Sequence, residues 1–340
     1  MTSQNHSQGN YSFLRKVWIT GSVFALIVVL ILFVKATFNV YLLILAGVLI
    51  AVYFLSLGGL LQRKTKWNAK VCLAISILGT IIILVLLSWL MGAKVQSQVS
   101  QLTDTLPATV EKAKTELNKS SLGQKLVEKL SSPQTQKKAQ QLAQTFFKST
   151  FGLLGDAYVV LFLGIFFTVS PSRYKKGLLQ LVPKKGQAKA DEVLDKLGDH
   201  LKKWLKGKIV AMFVVFVLTS IGLSIIGVPM WLVLALIAGL LNFIPNFGPL
   251  IAMIPAVLVG FMQGPSTAAY IAGLYILVQV TESNFITPMV QQKLVSIPPA
   301  LIIIAQLLIS PLTGGWGLVL ATPLMVMVMV LVQELYVARQ

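Results

Sequence analysis

One carboxylate, Glu282, lies inside an apolar stretch that extends from Thr267 to Val290. Taking an unpaired carboxylate out of water costs on the order of several kcal/mol, so such a group is expected to be protonated or paired. Gln279 lies one helical turn before Glu282, and Asn284 follows two positions later, so polar partners are available locally. We interpret Glu282 as a functional carboxyl that could exchange a proton for a solute or a cation. A structural hydrogen bond or a subunit contact is the alternative.

Two clusters of proline, glycine and polar residues interrupt the apolar chain after residue 208, at 242–249 and at 310–317. Broken membrane helices expose backbone amides and carbonyls that can replace water around a solute, and glycine permits a close approach. We therefore predict that the two breaks and the polar face of Glu282 form a solute or ion pathway. The candidate residues are Asn242, Pro245, Asn246, Gly248, Gln279, Glu282, Asn284, Thr313, Gly314, Gly315 and Gly317.

The two broken segments resemble each other. Pro229 and Gly248 are 19 positions apart, as are Pro298 and Gly317, and an aromatic residue precedes each glycine. Two re-entrant hairpins, the first opening outside and the second inside, would form the inverted repeat that is typical of secondary transporters. The alternative is a pair of continuous spans that are kinked at proline, which membrane helices tolerate.

Other chemistry finds little support in the sequence. The histidines are His6 and His200, no His-Glu-x-x-His motif is present, and Gly207-Lys208 is followed by Ile209 rather than by serine or threonine. We therefore expect neither an enzyme nor an ATP-driven pump, and we expect no metal or cofactor.

Composition indicates an integral membrane protein. Hydrophobic residues make up 56% of the 340 positions and charged residues only 12%, whereas about a quarter of a soluble domain is charged. The mean hydropathy is +0.79. We predict an all-α, polytopic helical membrane protein with about eight membrane segments, two of them broken or re-entrant in the second half.

Apolar runs near the length of about 20 residues that a spanning helix needs divide the chain into regions. The first three spans are expected at Val17–Val34, Ala36–Leu61 and Val71–Ala93, with Lys35 in an external turn. The predicted regions are three spans in 1–93, external amphipathic helices in 94–149, a fourth span in 150–170, a cytoplasmic segment in 171–208 and the transport core in 209–340.

Basic residues outnumber acidic residues by 29 to 11 and cluster beside apolar runs, at Arg15-Lys16, Arg63 to Lys70 and Arg173 to Lys208. This placement is typical of topogenic charge and not of a nucleic-acid surface, so both termini are expected in the cytoplasm of a bacterial cell. The last cluster includes a helix with one apolar face, predicted to lie along the inner membrane surface. That face consists of Val193, Leu197, Leu201, Trp204 and Leu205.

Several short motifs, taken together, resemble the autoinducer-2 exporter family of bacterial permeases. They are Ile244 to Pro249, Glu282-Ser283-Asn284 with Pro288, Pro298-Pro299, Gly314 to Gly317, and Pro323. The chain departs from the family pattern at Phe247, where tyrosine is common, and at Lys208, where glutamine is common. The resemblance implies an eight-segment, homo-oligomeric permease; members are linked to autoinducer-2 export or to sodium/proton exchange.

Three functions follow from these observations. The leading hypothesis is a secondary transporter that exports a small polar solute, with autoinducer-2 as a candidate. The second is a sodium/proton antiporter in which Glu282 binds the cation, although such sites usually gather several carboxylates. The third is a membrane scaffold that acts through the external helices. The expected partners are membrane lipid, the solute or cation, and further copies of the chain.

Overall fold

The computed structural model describes residues 5–86, 89, 155–291 and 298–339, and all regular structure in this part of the chain is helical. Four of the described helices are long and apolar enough to cross a membrane, and a bent pair would make a fifth. The prediction of an all-α polytopic membrane protein is therefore confirmed. The predicted external helices of 94–149 lie outside the described residues.

The first helix, α1, is continuous from Asn5 to Thr65. The predicted external turn at Lys35 is therefore wrong. The local sequence offers no reason to turn, because lysine and Ala36 are good helix formers and no glycine or proline lies beside them. Side chains from Arg15 to Ala36 are exposed, whereas Leu42, Leu45 and Leu49 are buried. Within the described part of the chain, it is thus the second half of α1 that packs against the other helices.

Three helices follow α1 in the described part of the chain: α2 (Ala69–Leu86), α3 (Gly155–Val169) and α4 (Pro171–Gln180). Helix α3 crosses α1 closely, because a Cβ atom on Gly47 would lie only 2.8 Å from Leu163 Cβ. The chain then bends by 90° between α3 and α4. Pro171 opens α4 at the first helical position, where the missing N–H costs nothing.

Helix α5 (Gln187–Ile226) joins the polar segment of 171–208 to the apolar core without a break. The five residues of its predicted apolar face are all buried. They pack against protein and not along a lipid surface: Leu201, Trp204 and Leu205 share a cluster with α1 and the last long helix, and Val193 and Leu197 contact Val330. The predicted amphipathic helix is thus the N-terminal half of α5, which is a core helix.

The first break forms a hairpin of two helical arms, α6 (Trp231–Leu241) and α7 (Phe247–Gln263). Gln263 Nε2, at the end of α7, donates a hydrogen bond of 3.0 Å to the Gly227 carbonyl just before α6. Leu234 and Ala238 of one arm share a buried cluster with residues of the other. The chain therefore enters and leaves at the same end, as the hairpin interpretation predicts.

The next helix, α8 (Pro265–Thr281), leads into a π-helical turn, Glu282–Ile286, and then into α9 (Thr287–Gln291). The backbone stays right-handed through both junctions, so these elements form one helical rod with a widened turn at Glu282. Wide turns of this kind are frequently found at functional sites. Glu282 lies 17 positions, or about 26 Å of helix, from Pro265.

The second break forms another hairpin, α10 (Pro299–Thr313) and α11 (Gly315–Leu335). Gln306 Nε2 donates to the Leu318 carbonyl at 3.5 Å, and a Cβ atom on Gly317 would lie 2.9 Å from Ser310 Cα, so the arms run side by side. Unlike either arm of the first hairpin, α11 is itself long enough to span a membrane. Which side of the membrane each hairpin opens to stays a prediction.

Candidate functional site

A cavity of about 190 Å³ lies where the tip of the first hairpin meets α5, the π-helical turn and both arms of the second hairpin. This volume is several times the roughly 30 Å³ that one water molecule occupies in the liquid, so a small solute fits. Polar side chains from α5, the tip, α8, the π-helical turn, α9 and α11 line the cavity: Lys208, Asn242, Asn246, Gln279, Glu282, Ser283, Thr287 and Thr322.

Glu282 is buried, and hydroxyl groups of its own helix hold its carboxylate. Thr287 Oγ1 donates to Oε1 at 2.8 Å, and Ser283 Oγ lies 3.5 Å from Oε2. Gln279 Nε2 in turn donates to Ser283 Oγ at 3.0 Å. The side chains at the carboxylate are therefore not the two predicted ones: Gln279 reaches Glu282 only through Ser283, and Asn284 donates to the Val280 carbonyl instead. The widened helical turn brings Thr287, five positions ahead, within reach of the carboxylate.

Lys208 of α5 brings a second ionisable group to the same cavity. It is partly buried, and Glu282 is the acidic group close enough to interact electrostatically with its ammonium. The two do not touch: no ion pair within 4.0 Å joins them in the described residues. The cavity therefore combines a positive and a negative group that are separated by space.

The tip of the first hairpin supplies Asn242, Pro245 and Asn246. Asn242 is 2% exposed, and within the described residues its Nδ2 atom has no hydrogen-bond partner. Asn246 has a φ of +66°, a conformation that asparagine tolerates better than most residues, and the next residue begins α7. Asn246 therefore serves the backbone turn as well as the cavity wall.

Gln306 of α10 joins the second hairpin to the first. Its Nε2 atom donates to the Pro245 carbonyl at 3.0 Å, and its side chain is fully buried. The same carbonyl accepts a bond from Phe247 N at 2.8 Å. The Pro245 carbonyl is thus already hydrogen-bonded within the protein. A solute would contact the side chains of the tip.

The other predicted pathway residues lie away from the cavity. Gly248 packs against the Leu241 carbonyl, and Asn284 is exposed and donates to the Val280 carbonyl at 2.8 Å. The second tip turns instead toward α3. There Trp316 Nε1 donates to Asp156 Oδ2 at 2.7 Å, and the neighbouring predicted residues are Thr313, Gly314, Gly315 and Gly317.

Sequence reasoning missed Lys208, Gln306 and Thr322. Lys208 was assigned to the end of a cytoplasmic basic cluster, yet it follows Leu197, Leu201 and Trp204 at helical spacing. That stripe places it on the buried face of α5. Gln306 carried the same signal as Glu282, a polar side chain inside an apolar run.

The described residues contain no group of three or more histidine, cysteine, aspartate or glutamate side chains that could hold a metal ion. Lys208 and Glu282 are the titratable side chains among the described residues that line the cavity. Proton chemistry at this site would therefore involve these two groups.

The sequence was compared with families and with curated proteins. A family model described as AI-2E family transporter matches residues 23–337. The chain is 27% identical to YrrI of Bacillus subtilis (strain 168), over 49% of this chain and 47% of that protein. It is 25% identical to PerM of Escherichia coli (strain K12), over 52% and 51%. The chain thus spans about half the length of these two relatives.

A longer match is found with the AI-2 transport protein TqsA of Escherichia coli (strain K12). That protein is 23% identical over 289 residues, which cover 82% of each chain.

Proposed function

Because this chain belongs to the AI-2E family of transporters, we propose that it moves a small polar solute across the bacterial cytoplasmic membrane through the cavity beneath the first hairpin. The observation that carries this proposal is the meeting of a broken-helix tip with Lys208 and Glu282 in one cavity. Broken helices that meet charged groups inside a membrane protein are typical of solute sites in secondary transporters.

Autoinducer-2 is the first solute to test, because a relative that matches 82% of this chain is named as an AI-2 transport protein. A sodium/proton antiporter is less well supported. Among the described residues, the cavity offers a single carboxylate, and the lysine beside it repels a cation. Assembly into a homo-oligomer, cytoplasmic termini and export as the direction of transport remain part of the proposal.

The first hairpin is the element best placed to move during transport. Its tip forms one wall of the cavity, and the described residues join this tip to the second hairpin by one side-chain hydrogen bond, from Gln306 to the Pro245 carbonyl, which must break when the tip moves. We propose that the tip shifts against α5 and α10 to open the cavity to one side. Movement of one repeat against another is the general mechanism of such transporters.

The test is efflux of autoinducer-2 and of other small polar solutes from proteoliposomes that contain the full chain. We expect wild-type efflux well above that of protein-free liposomes, and a loss of at least about tenfold in Glu282→Gln, or about 1.4 kcal/mol. Lys206→Gln is the control, because it removes a charge from an exposed side chain that does not line the cavity. Wild-type efflux at the protein-free rate for every solute would contradict the proposal.

A further inference from the structure

Two buried polar atoms that line the cavity have no partner among the described residues, and each of them can donate a hydrogen bond. Within the described part of the chain, Asn242 Nδ2 and Thr322 Oγ1 lack partners, and both residues line the cavity. The Lys208 ammonium adds three N–H donors and no acceptor. It likewise makes no hydrogen bond or ion pair to the described residues. A solute that satisfies these groups must bring acceptor atoms.

Two of the acceptors at the same cavity are already engaged. Thr287 and Ser283 approach the two oxygen atoms of Glu282, and Gln306 bonds to the Pro245 carbonyl. A buried donor without a partner is costly, so the site favours a ligand that fills the free donors. The ammonium and the two buried free donors together favour an oxygen-rich solute.

The charges at the cavity narrow the class of solute further. A lysine inside a membrane protein is expensive unless an opposite charge is near, and here that charge is Glu282. Because no ion pair within 4.0 Å joins them in the described residues, the carboxylate balances the ammonium without occupying its donors. An ammonium and a carboxylate together carry no net charge, and the ammonium keeps donors that no described residue engages.

We infer that the cavity binds a small organic acid as its monoanion, with the carboxylate held by Lys208, Asn242 and Thr322, and that one proton binds to Glu282 at the same time. This inference rests on the proposed function, since it assigns the solute of the same cavity. The charges balance in both states: ammonium with carboxylate when empty, and ammonium with solute anion and neutral Glu282 when loaded. Solute and proton therefore move together, without net charge.

Lys208 is then the residue that decides specificity in this chain. Glutamine at this position would supply a donor without a charge. We expect a site of that kind to accept neutral polar solutes.

Binding tests the inference separately from transport. The Tm of the full chain in detergent would be measured with acetate, lactate or pyruvate and with the matching amides. Each measurement would be made at about pH 6 and at about pH 8. We expect at least one carboxylate, and not its amide, to raise Tm, with the larger rise at the lower pH. In Lys208→Gln the rise disappears, whereas in Glu282→Gln it persists and becomes equal at both pH values.

Lys206→Gln should behave as wild type and keep the rise in Tm. Equal rises with carboxylate and amide, no rise with any carboxylate in the wild type, or a rise that survives Lys208→Gln would overturn the inference. In proteoliposomes, uptake of the same carboxylate should follow an inward proton gradient and ignore a membrane potential imposed with potassium and valinomycin. A carboxylate-specific rise in Tm without uptake would reject the transport proposal and leave the binding site standing.

Discussion

The hairpin of α6 and α7 carries its polar tip into the cavity, whereas the hairpin of α10 and α11 turns beside Asp156 of α3 and reaches the cavity with its flanks. The two turns differ in length, with five residues between α6 and α7 and Gly314 alone between α10 and α11, yet they share one backbone feature. A residue with positive φ, Asn246 or Gly314, precedes the second arm in each case. Shared geometry thus supports the internal repeat, while the side chains give the two copies different roles.

The glycines show how the shared geometry is built. A Cβ atom on Gly248 would overlap the Leu241 carbonyl, and one on Gly317 would lie 2.9 Å from both Ile309 C and Ser310 Cα. In each hairpin, therefore, the start of the second arm packs on the backbone at the end of the first. Any larger residue at these two positions must separate the arms.

The largest expected effect is that of Gly248→Ala. The added methyl group meets backbone, which cannot move aside as a side chain can, so we expect a loss of about 1–3 kcal/mol or more of stability and a loss of transport. Thermal unfolding in detergent and solute efflux would measure these two losses. Gly317→Ala should destabilise by a comparable amount.

Gly273→Ala is the control, because a Cβ atom at Gly273 has no neighbour within 4 Å and alanine favours the helix. We expect it to leave Tm unchanged or slightly raised. If Gly248→Ala behaved like Gly273→Ala, the close packing of the first hairpin, and with it the likeness of the two turns, would have to be abandoned.

Replacing Gln306 with leucine tests the connection between the hairpins. The change removes the buried side-chain donor of the Pro245 carbonyl, which keeps its bond from Phe247 N, so we expect a cost near the lower end of about 1–3 kcal/mol. Gln263→Leu also removes an amide bond to a backbone carbonyl, that of Gly227, but at an exposed position. We expect Gln263→Leu to shift the denaturation midpoint less than Gln306→Leu. Equal shifts would mean that the hairpins are not coupled through Gln306.

The hairpins also show how far the sequence alone can lead. The breaks, the repeat and the buried Glu282 follow from proline, glycine and charge in apolar runs, because such residues need a structural reason inside a membrane. Which break reaches the cavity depends on packing between distant segments, and Trp316 meets Asp156 across 160 positions. No local pattern encodes that contact. Lys208 was missed for a different reason, since a basic residue beside a span was read only as topogenic charge.

A smaller effect is expected from Trp316→Phe at the second tip. The substitution keeps an aromatic ring and removes the hydrogen bond to the Asp156 carboxylate. Bonds to charged groups are worth about 1.5–3 kcal/mol, and partial exposure should place this one at the lower end. If the second tip is structural, Tm falls while the ratio of carboxylate to amide binding stays that of wild type. A changed ratio would assign the second tip to the solute site.

The smallest effect concerns the ends of the hairpins that lie away from their tips. The first is closed by the neutral amide bond from Gln263, whereas Glu334 near the end of α11 is paired with Lys189 at 3.1 Å and Lys196 at 2.7 Å of α5. Exposed ion pairs are weak and are screened by salt. We therefore expect Glu334→Gln to lower Tm by less than the substitutions at Gly248, Gln306 and Trp316.

Salt dependence distinguishes the ion pairs of Glu334 from the neutral hydrogen bond of Gln263. At about 1 M salt the Debye length falls to about 3 Å, so the difference in Tm between wild type and Glu334→Gln should shrink toward zero. The difference caused by Gln263→Leu should persist, because no charge takes part in its hydrogen bond. If the Glu334 difference were the same at low and high salt, the contact would stabilise α11 through packing, and the contrast between a charged and a neutral closure would not hold.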